Sequence, residues 1–247
     1  MRIVFLGTNG VYATETGNTS CILLDAGEYY VILDAGDGIH RAKEYLKEAK
    51  PTHILLSHFH LDHIFGFHLL DELKFESPLR IYGKRGAREA LNLIINKPFS
   101  RPFAELPYEV RIEELDEGEH EFPFHLSCRL LPHKDPSLGY RLNLDGKTIA
   151  YCTDTGPHEN VLELARDADA LISECALKPG RMSEEWPHMN PEEAARVAKG
   201  ANARLLILTH FNAAEYKTIK EREEGGERAR EIFGNTIVAF DGMELEI

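Results

Sequence analysis

The stretch SHFHLDH at 57–63 places His58, His60, Asp62 and His63 within six positions, directly after the apolar run His53-Ile54-Leu55-Leu56. Imidazole nitrogen and carboxylate oxygen, without thiolate, are the donors that suit Zn²⁺, Mn²⁺ or Fe²⁺. His58 and His60 stand two apart in what reads as an extended segment, so their side chains project to the same side. Asp62 and His63 follow where the chain turns into a helix. Two groups of donors on one short loop can reach two neighbouring ions. Three further donors come first after other apolar runs: His133 after Leu130-Leu131-Pro132, Asp154 after Ile149 to Thr153, and His210 after Leu205 to Thr209. Two divalent ions roughly 3.5 to 4 Å apart can share a water, lower its pKa towards neutrality and present hydroxide to an electrophilic phosphorus or carbonyl.

Such donors converge only if the strands before them end at a common edge. Short apolar, β-branched runs open the chain at 2–6, 20–25 and 29–34, the last two joined as a hairpin through Ala26-Gly27-Glu28. Gly36 and Gly38 break the pattern before an amphipathic segment at 39–48, and Pro51 precedes a strand at 53–57. Helical periodicity returns at 67–73 and 86–95, and strands are expected at 108–115, 124–131, 139–144 and 148–152. A second α/β stretch follows: helices at 161–166, 191–200 and 214–233 alternate with strands at 170–174 and 204–209, and strands at 236–240 and 244–247 close the chain. Strand-rich, helix, strand-rich, helix is the order of two packed sheets with helices outside. Loops from both halves then lie along one edge.

Composition limits the partners. The formal charge of −13 is spread along 247 residues, with no Lys/Arg cluster long enough to track a phosphate backbone, so nucleic acid is disfavoured though not excluded. The four cysteines have no C-x-x-C spacing and lie in or beside apolar runs, as buried thiols of a reducing compartment do. The apolar run before Gly7 is too short for a signal peptide, and no segment approaches a membrane span. A soluble cytoplasmic protein of one domain, 1–247, with no membrane partner is expected, and a homodimer is compatible with it.

The order H-x-H-x-D-H, His, Asp, His resembles the metallo-β-lactamase superfamily. The motifs FLGTNG and GNTS near the start, LDAGDG at 33–38, LPHKDPSLGYRL at 131–142, YCTDT at 151–155 and HMNPEEAARVAKGANARLLILTHF at 188–211 resemble its tRNase Z-like and phosphodiesterase branch. The resemblance runs nearly end to end and implies an α/β four-layer αβ/βα sandwich. It also implies that His58, His60 and His133 hold one metal, that Asp62, His63 and His210 hold a second, and that Asp154 bridges them. Two divalent ions, zinc before manganese or iron, are the implied cofactors. Asp62 and His188 are the implied catalytic residues, His188 as proton donor to the leaving oxygen.

The departures set the substrate expectation. Relatives in the tRNase Z family carry a glycine-rich arm between the positions of His133 and Asp154, yet here those residues are only 21 positions apart. The arginine that usually follows the His210 motif is missing, although Tyr216 remains. Met189 occupies the place where an acid often follows His188. These losses and the negative charge favour cyclic nucleotides or other small phosphodiesters over tRNA. An armless tRNase Z-like endoribonuclease is the alternative, and a lactonase or thioesterase on the same core a second one. Asp34 and Asp37 are candidates to hold ligand histidines from behind, and Glu174 to support the site. The loop at 96–103, NKPFSRPF, is a candidate base-stacking segment, whereas His40, His53, His68, His120, His125 and His158 lack comparable placement.

Overall fold

The computed structural model describes residues 1–76, 78–183 and 185–247. A strand with apolar residues on both faces needs cover on both, and Ile3 to Leu6 of the opening strand Arg2–Gly7 receive it. Ile3 and Phe5 enter a buried cluster with Leu24, Val31, Leu142 and Ile207, whereas Val4 and Leu6 join a different one with Ile39, Ile54, Phe67 and Leu91. The same alternation recurs on Lys147–Cys152: Ile149 and Tyr151 face the first cluster, and Ala150 and Cys152 a third with Val161, Leu164, Ala194 and Val197. Strand period two therefore divides the apolar residues among three interfaces. The result is the expected sandwich of helix, sheet, sheet and helix.

Each main sheet has seven strands. The first runs Glu244–Glu246, Arg2–Gly7, Cys21–Asp25, Tyr30–Leu33, Thr52–Leu55, Leu79–Lys84 and Val110–Leu115 in spatial order, its last four strands parallel. The second runs Thr236–Val238, Leu206–Thr209, Ala170–Glu174, Lys147–Cys152, Ser137–Leu144, His125–Leu131 and Gly118–Glu121, its first four parallel. Parallel neighbours need crossovers, supplied in the second half by helices Glu159–Ala165, Pro191–Gly200 and Ile219–Arg230. Consequently Leu55, Cys152 and Thr209 end their strands at places followed within a few residues by a candidate donor, and Glu174 ends its strand as a candidate support. A two-stranded pairing of Asn9–Gly10 with Phe211–Asn212 ties the opening loop to the segment after His210.

Several elements differ from the sequence expectation. The segments at 39–48 and 67–73 form 3-10 helices, Asp37–Glu44 and Phe65–Glu72. The long helix expected from 214 begins at Ile219, because Thr218 and Glu221 form a reciprocal capping box there. Gly118–Glu121 is a strand that its polar sequence conceals. All four cysteines are buried free thiols. Among the described residues no helix is long and apolar enough to cross a membrane.

The loops below the site pack backbone on backbone. The Gly66 amide donates to the Ala35 carbonyl at 2.9 Å, and a Cβ on Gly66 would lie 2.2 Å from the Gly36 carbonyl oxygen and 2.8 Å from that of Ala35. Gly66→Ala is expected to cost about 1–3 kcal/mol through overpacking. Thermal unfolding should show a fall in Tm of roughly 2–4 °C per kcal/mol, and an unchanged Tm would contradict this packing.

Candidate active site

The sequence's seven candidate donors come from separate strand ends and meet. The donor atoms of His58, His60, His133 and Asp154 lie within 4.8 Å of one another, as do those of Asp62, His63 and His210. The two groups adjoin: Asp154 Oδ2 is 3.1 Å from His63 Nε2 and 3.3 Å from His210 Nε2, while its Oδ1 is 3.8 Å from His133 Nε2. Asp154 thus has one oxygen for each group, the arrangement a bridging carboxylate requires. Asp154 and His210 have φ of 50° and 51°, and Asp34 has 57°. Left-handed backbone is uncommon outside glycine, and here it turns each side chain away from the line of its preceding strand.

Asp34 holds the centre from behind. Its carboxylate accepts hydrogen bonds from the Ser57 amide at 2.7 Å, the Ser57 hydroxyl at 2.8 Å and the Tyr151 hydroxyl at 2.6 Å, and pairs with His63 Nδ1 at 2.7 Å. That last contact leaves His63 Nε2 facing the donor cluster, the role such outer acceptors play for ligating imidazoles. Asp37 instead opens the 3-10 helix Asp37–Glu44, its amide donating to Thr19 Oγ1.

Two contributions are not written in any donor pattern. The Val11 amide donates to Asp62 Oδ2 at 2.7 Å. Gly10 lies against His210, and a Cβ there would come 2.6 Å from the ring. Ser57 stands inside the central motif and Tyr151 inside YCTDT, so both had a positional signal. Gly10 closes the FLGTNG motif, but what it and Val11 touch depends on long-range pairing.

The electrostatics match a cation-binding centre. Burial, reinforced by His63, holds His58 well below its usual pKa and hence neutral, and its buried Nε2 has no hydrogen-bond partner among the described residues. Burial opposes charge on His63 too, but Asp62, Asp154 and Asp34 outweigh it and raise that pKa well above normal. For Asp154, burial opposes ionisation, but His210, His63 and His58 prevail and hold its pKa well below the carboxylate range. Buried carboxylates of this kind demand positive charge beside them, and neutral imidazole with an unpaired nitrogen is the form that ligates a metal. The residues present therefore fit a divalent ion in each group.

His188 enters from the other half. It lines a cleft of ≈ 450 Å³ together with His60, Asp62, His133, Asp154 and His210. Its Nδ1 lies 3.0 Å from Glu174, which is completely buried at the end of Ala170–Glu174. Burial would lower the His188 pKa, but the charge and hydrogen bond of Glu174 prevail and bring it to about 9. Glu174 also accepts from the amides of Thr155 and Met189. Met189 is buried in the core with its Sδ 3.7 Å from Ser173 Oγ, so that position anchors the loop and the acid comes from Glu174. Asn190 and Glu193 then cap helix Pro191–Gly200 reciprocally.

The remaining candidates lie elsewhere. His53 is buried and pairs with Tyr82, His158 caps a helix, and His40, His68 and His120 bond to backbone carbonyls. His125 sits between Glu119 and Glu121. In the 96–103 loop Phe99 is exposed, Phe103 is buried, and neither lines the donor cleft. Tyr216 is structural, its hydroxyl donating to the Leu177 carbonyl at 2.7 Å.

Residues 21–211 match the family model described as the Beta-lactamase superfamily domain, and with the paired sheets and the donor cluster this makes the chain a member of the metallo-β-lactamase superfamily. Within it the chain belongs to the tRNase Z-like branch. A protein named Ribonuclease Z from Methanosarcina acetivorans is 30% identical over an alignment covering 100% of this chain and 98% of that protein. Solved structures share the fold: the metallo-β-lactamase fold protein YhfI of Bacillus subtilis (TM-score 0.82, 23% identity, 100% and 99% of the two chains covered) and the short form of human tRNase Z (TM-score 0.76, 24% identity, 100% and 99% covered).

Because Asp154 offers one oxygen to each donor group, Asp154→Ala is expected to lower occupancy at both positions and not at one. Elemental analysis of the purified protein reads this directly. At most one ion per chain in fully active protein would refute a paired centre.

Proposed function

We propose that residues 1–247 form one hydrolase domain that cleaves phosphodiester bonds in RNA with two divalent ions, in the manner of an armless ribonuclease Z-like endoribonuclease. The observation that carries this reading is His188, paired with the buried Glu174 and lining the same cleft as His60, Asp62, His133, Asp154 and His210. A proton donor beside a metal centre suits a reaction whose leaving oxygen must be protonated. The full-length relatives named Ribonuclease Z support RNA as the substrate class. They favour RNA over the small phosphodiesters that the missing arm, arginine and acid and the negative charge had placed first.

Two divalent ions held by His58, His60, His133, Asp154, Asp62, His63 and His210 would supply an acidified water and positive charge for the phosphoryl oxygens. Zinc, manganese and iron all suit this donor set. Asp154 and Asp62 set the geometry, Asp62 being fixed by the Val11 amide. His188 donates a proton as the P–O bond breaks, and Glu174 orients its ring and keeps it protonated.

Small phosphodiesters remain the second reading because of one structural feature. His133 and Asp154 are joined by the hairpin of Ser137–Leu144 and Lys147–Cys152, which leaves no room for an arm. The alignment with the Methanosarcina acetivorans protein also spans 306 positions against 247 residues here, so about 59 of its positions have no residue of this chain. With zinc-loaded protein at low salt, kcat/KM for an RNA carrying a single-stranded 3′ extension is expected to exceed that for cyclic nucleotides. Cyclic nucleotide hydrolysis without RNA cleavage would establish the second reading instead. Lactone opening without phosphodiesterase activity would reject both.

His188→Ala is expected to retain both metals and lose about 10² to 10⁴ in kcat on substrates with poor leaving groups. The loss should be much smaller on an activated nitrophenyl ester. The acid must be protonated to work, so activity falls as pH rises through its pKa. Glu174→Gln removes the anion that raises that pKa, and the alkaline limb of the kcat profile should move to lower pH. Equal losses on both esters, or an unmoved limb, would remove His188 from the role.

A further inference from the structure

The cleft above the donors has one aromatic wall. Trp186, the chain's single tryptophan, lines it while remaining 43% exposed. Its ring centroid lies 5.7 Å from that of His133 and 6.3 Å from that of His60. Lys134, the residue after His133, places Nζ 5.5 Å from the indole centroid. Ala176, Leu177 and Ser183 line the cleft nearby. The other groups facing it are mostly imidazoles and carboxylates, so a half-exposed indole here is apolar area that folding alone leaves in water.

Resting on the phosphodiester reading above, we propose that Trp186 and Lys134 form a nucleobase subsite. A base of the substrate stacks on the indole while its own phosphate lies over the donors. The separation of under 7 Å between the indole and the imidazoles keeps base and phosphate within one nucleotide. Stacking on an aromatic ring tolerates every base, because each has a π face. Lys134, whose Nζ also pairs with Glu185 at 3.6 Å, steadies the indole through a cation–π contact. The aromatic and basic pairing sought in the 96–103 loop is found here instead, where it adjoins the metal donors.

The test compares adenosine monophosphate with ribose 5-phosphate, which carries the phosphate and sugar but no base. Both are titrated into zinc-loaded protein by calorimetry and by fluorescence excited beyond the tyrosine absorption band, which reports on Trp186 alone. The nucleotide should quench the fluorescence and bind about 5- to 150-fold more tightly than the sugar phosphate. Trp186→Ala should bring the two affinities together with metal content unchanged, and Trp186→Phe should keep most of the preference. Should the alanine variant lose metal, Trp186→Leu, which keeps an apolar wall without a π face, takes its place and should also lose the preference. Equal binding of the two probes by the parent protein, or a base preference that survives in the alanine or leucine variant, would overturn the subsite. The two proposals fail separately: RNA cleavage without a base preference removes the subsite alone, and base stacking without phosphodiester cleavage removes the reaction alone.

Discussion

The carboxylate of Asp34 is the contact on which the rest of the site depends. It has no exposure to solvent, and it joins the two halves of the sandwich: the residue follows strand Tyr30–Leu33 of one sheet, and the Tyr151 hydroxyl reaches it from Lys147–Cys152 of the other. A buried carboxylate is tolerated only when its lone pairs are used. Asp34 uses them on Ser57, His63 and Tyr151, and in doing so fixes the start of the SHFHLDH loop and the orientation of His63. If that hydrogen-bond set were lost, the sheets would still pack through their apolar faces. The donors would no longer be aimed.

Above Asp34 the site is a balance of protons and metals. Asp62, Asp154 and Asp34 stabilise positive charge on His63, and Asp154 and Asp62 overcome burial to do the same for His210. A divalent ion can supply that charge, and to bind it must displace the protons from nitrogen. Burial holds His58 and His133 below the ordinary imidazole pKa, so these two differ from His63 and His210, which exchange protons for metal. Metal affinity at the group containing His63 and His210 should therefore be the more sensitive to acid.

The donors were legible because each follows a run of apolar residues that can only be a buried strand, and a polar residue after such a run lies at the sheet's edge. His133, Asp154 and His210 each stand at such an edge, and the fold brings their donor atoms beside those of the 57–63 loop. Asp34 was legible for the same reason, and its hydrogen bond to His63 agrees with the support expected of it. Glu174 was ambiguous, since strand-end solvation and site support look alike in sequence; complete burial beside His188 distinguishes them. Val11 and Trp186 were illegible, and Gly10 was legible as the end of FLGTNG but not in what it touches. Gly10 and Val11 act through backbone approach, set by the pairing of Asn9–Gly10 with Phe211–Asn212, some two hundred residues apart, and Trp186 acts through its placement against His60 and His133.

Net charge was one ground, beside the missing arm, for placing small phosphodiesters before RNA, and it is the weaker ground for a physical reason. A formal charge of −13 describes the whole surface, but at physiological salt exposed charges act only over about 8 Å. Inside the cleft the local account is different. His188 is held protonated by Glu174, Lys134 stands beside Trp186, and two divalent ions would be the largest charges present. The carboxylates that make the interior acidic are the ones that would bind those ions, so acidity at the centre becomes attraction for phosphate once it is loaded. An acidic surface weakens long-range steering of a polyanion. It does not prevent one phosphodiester and one base from being held at the edge of the sheets.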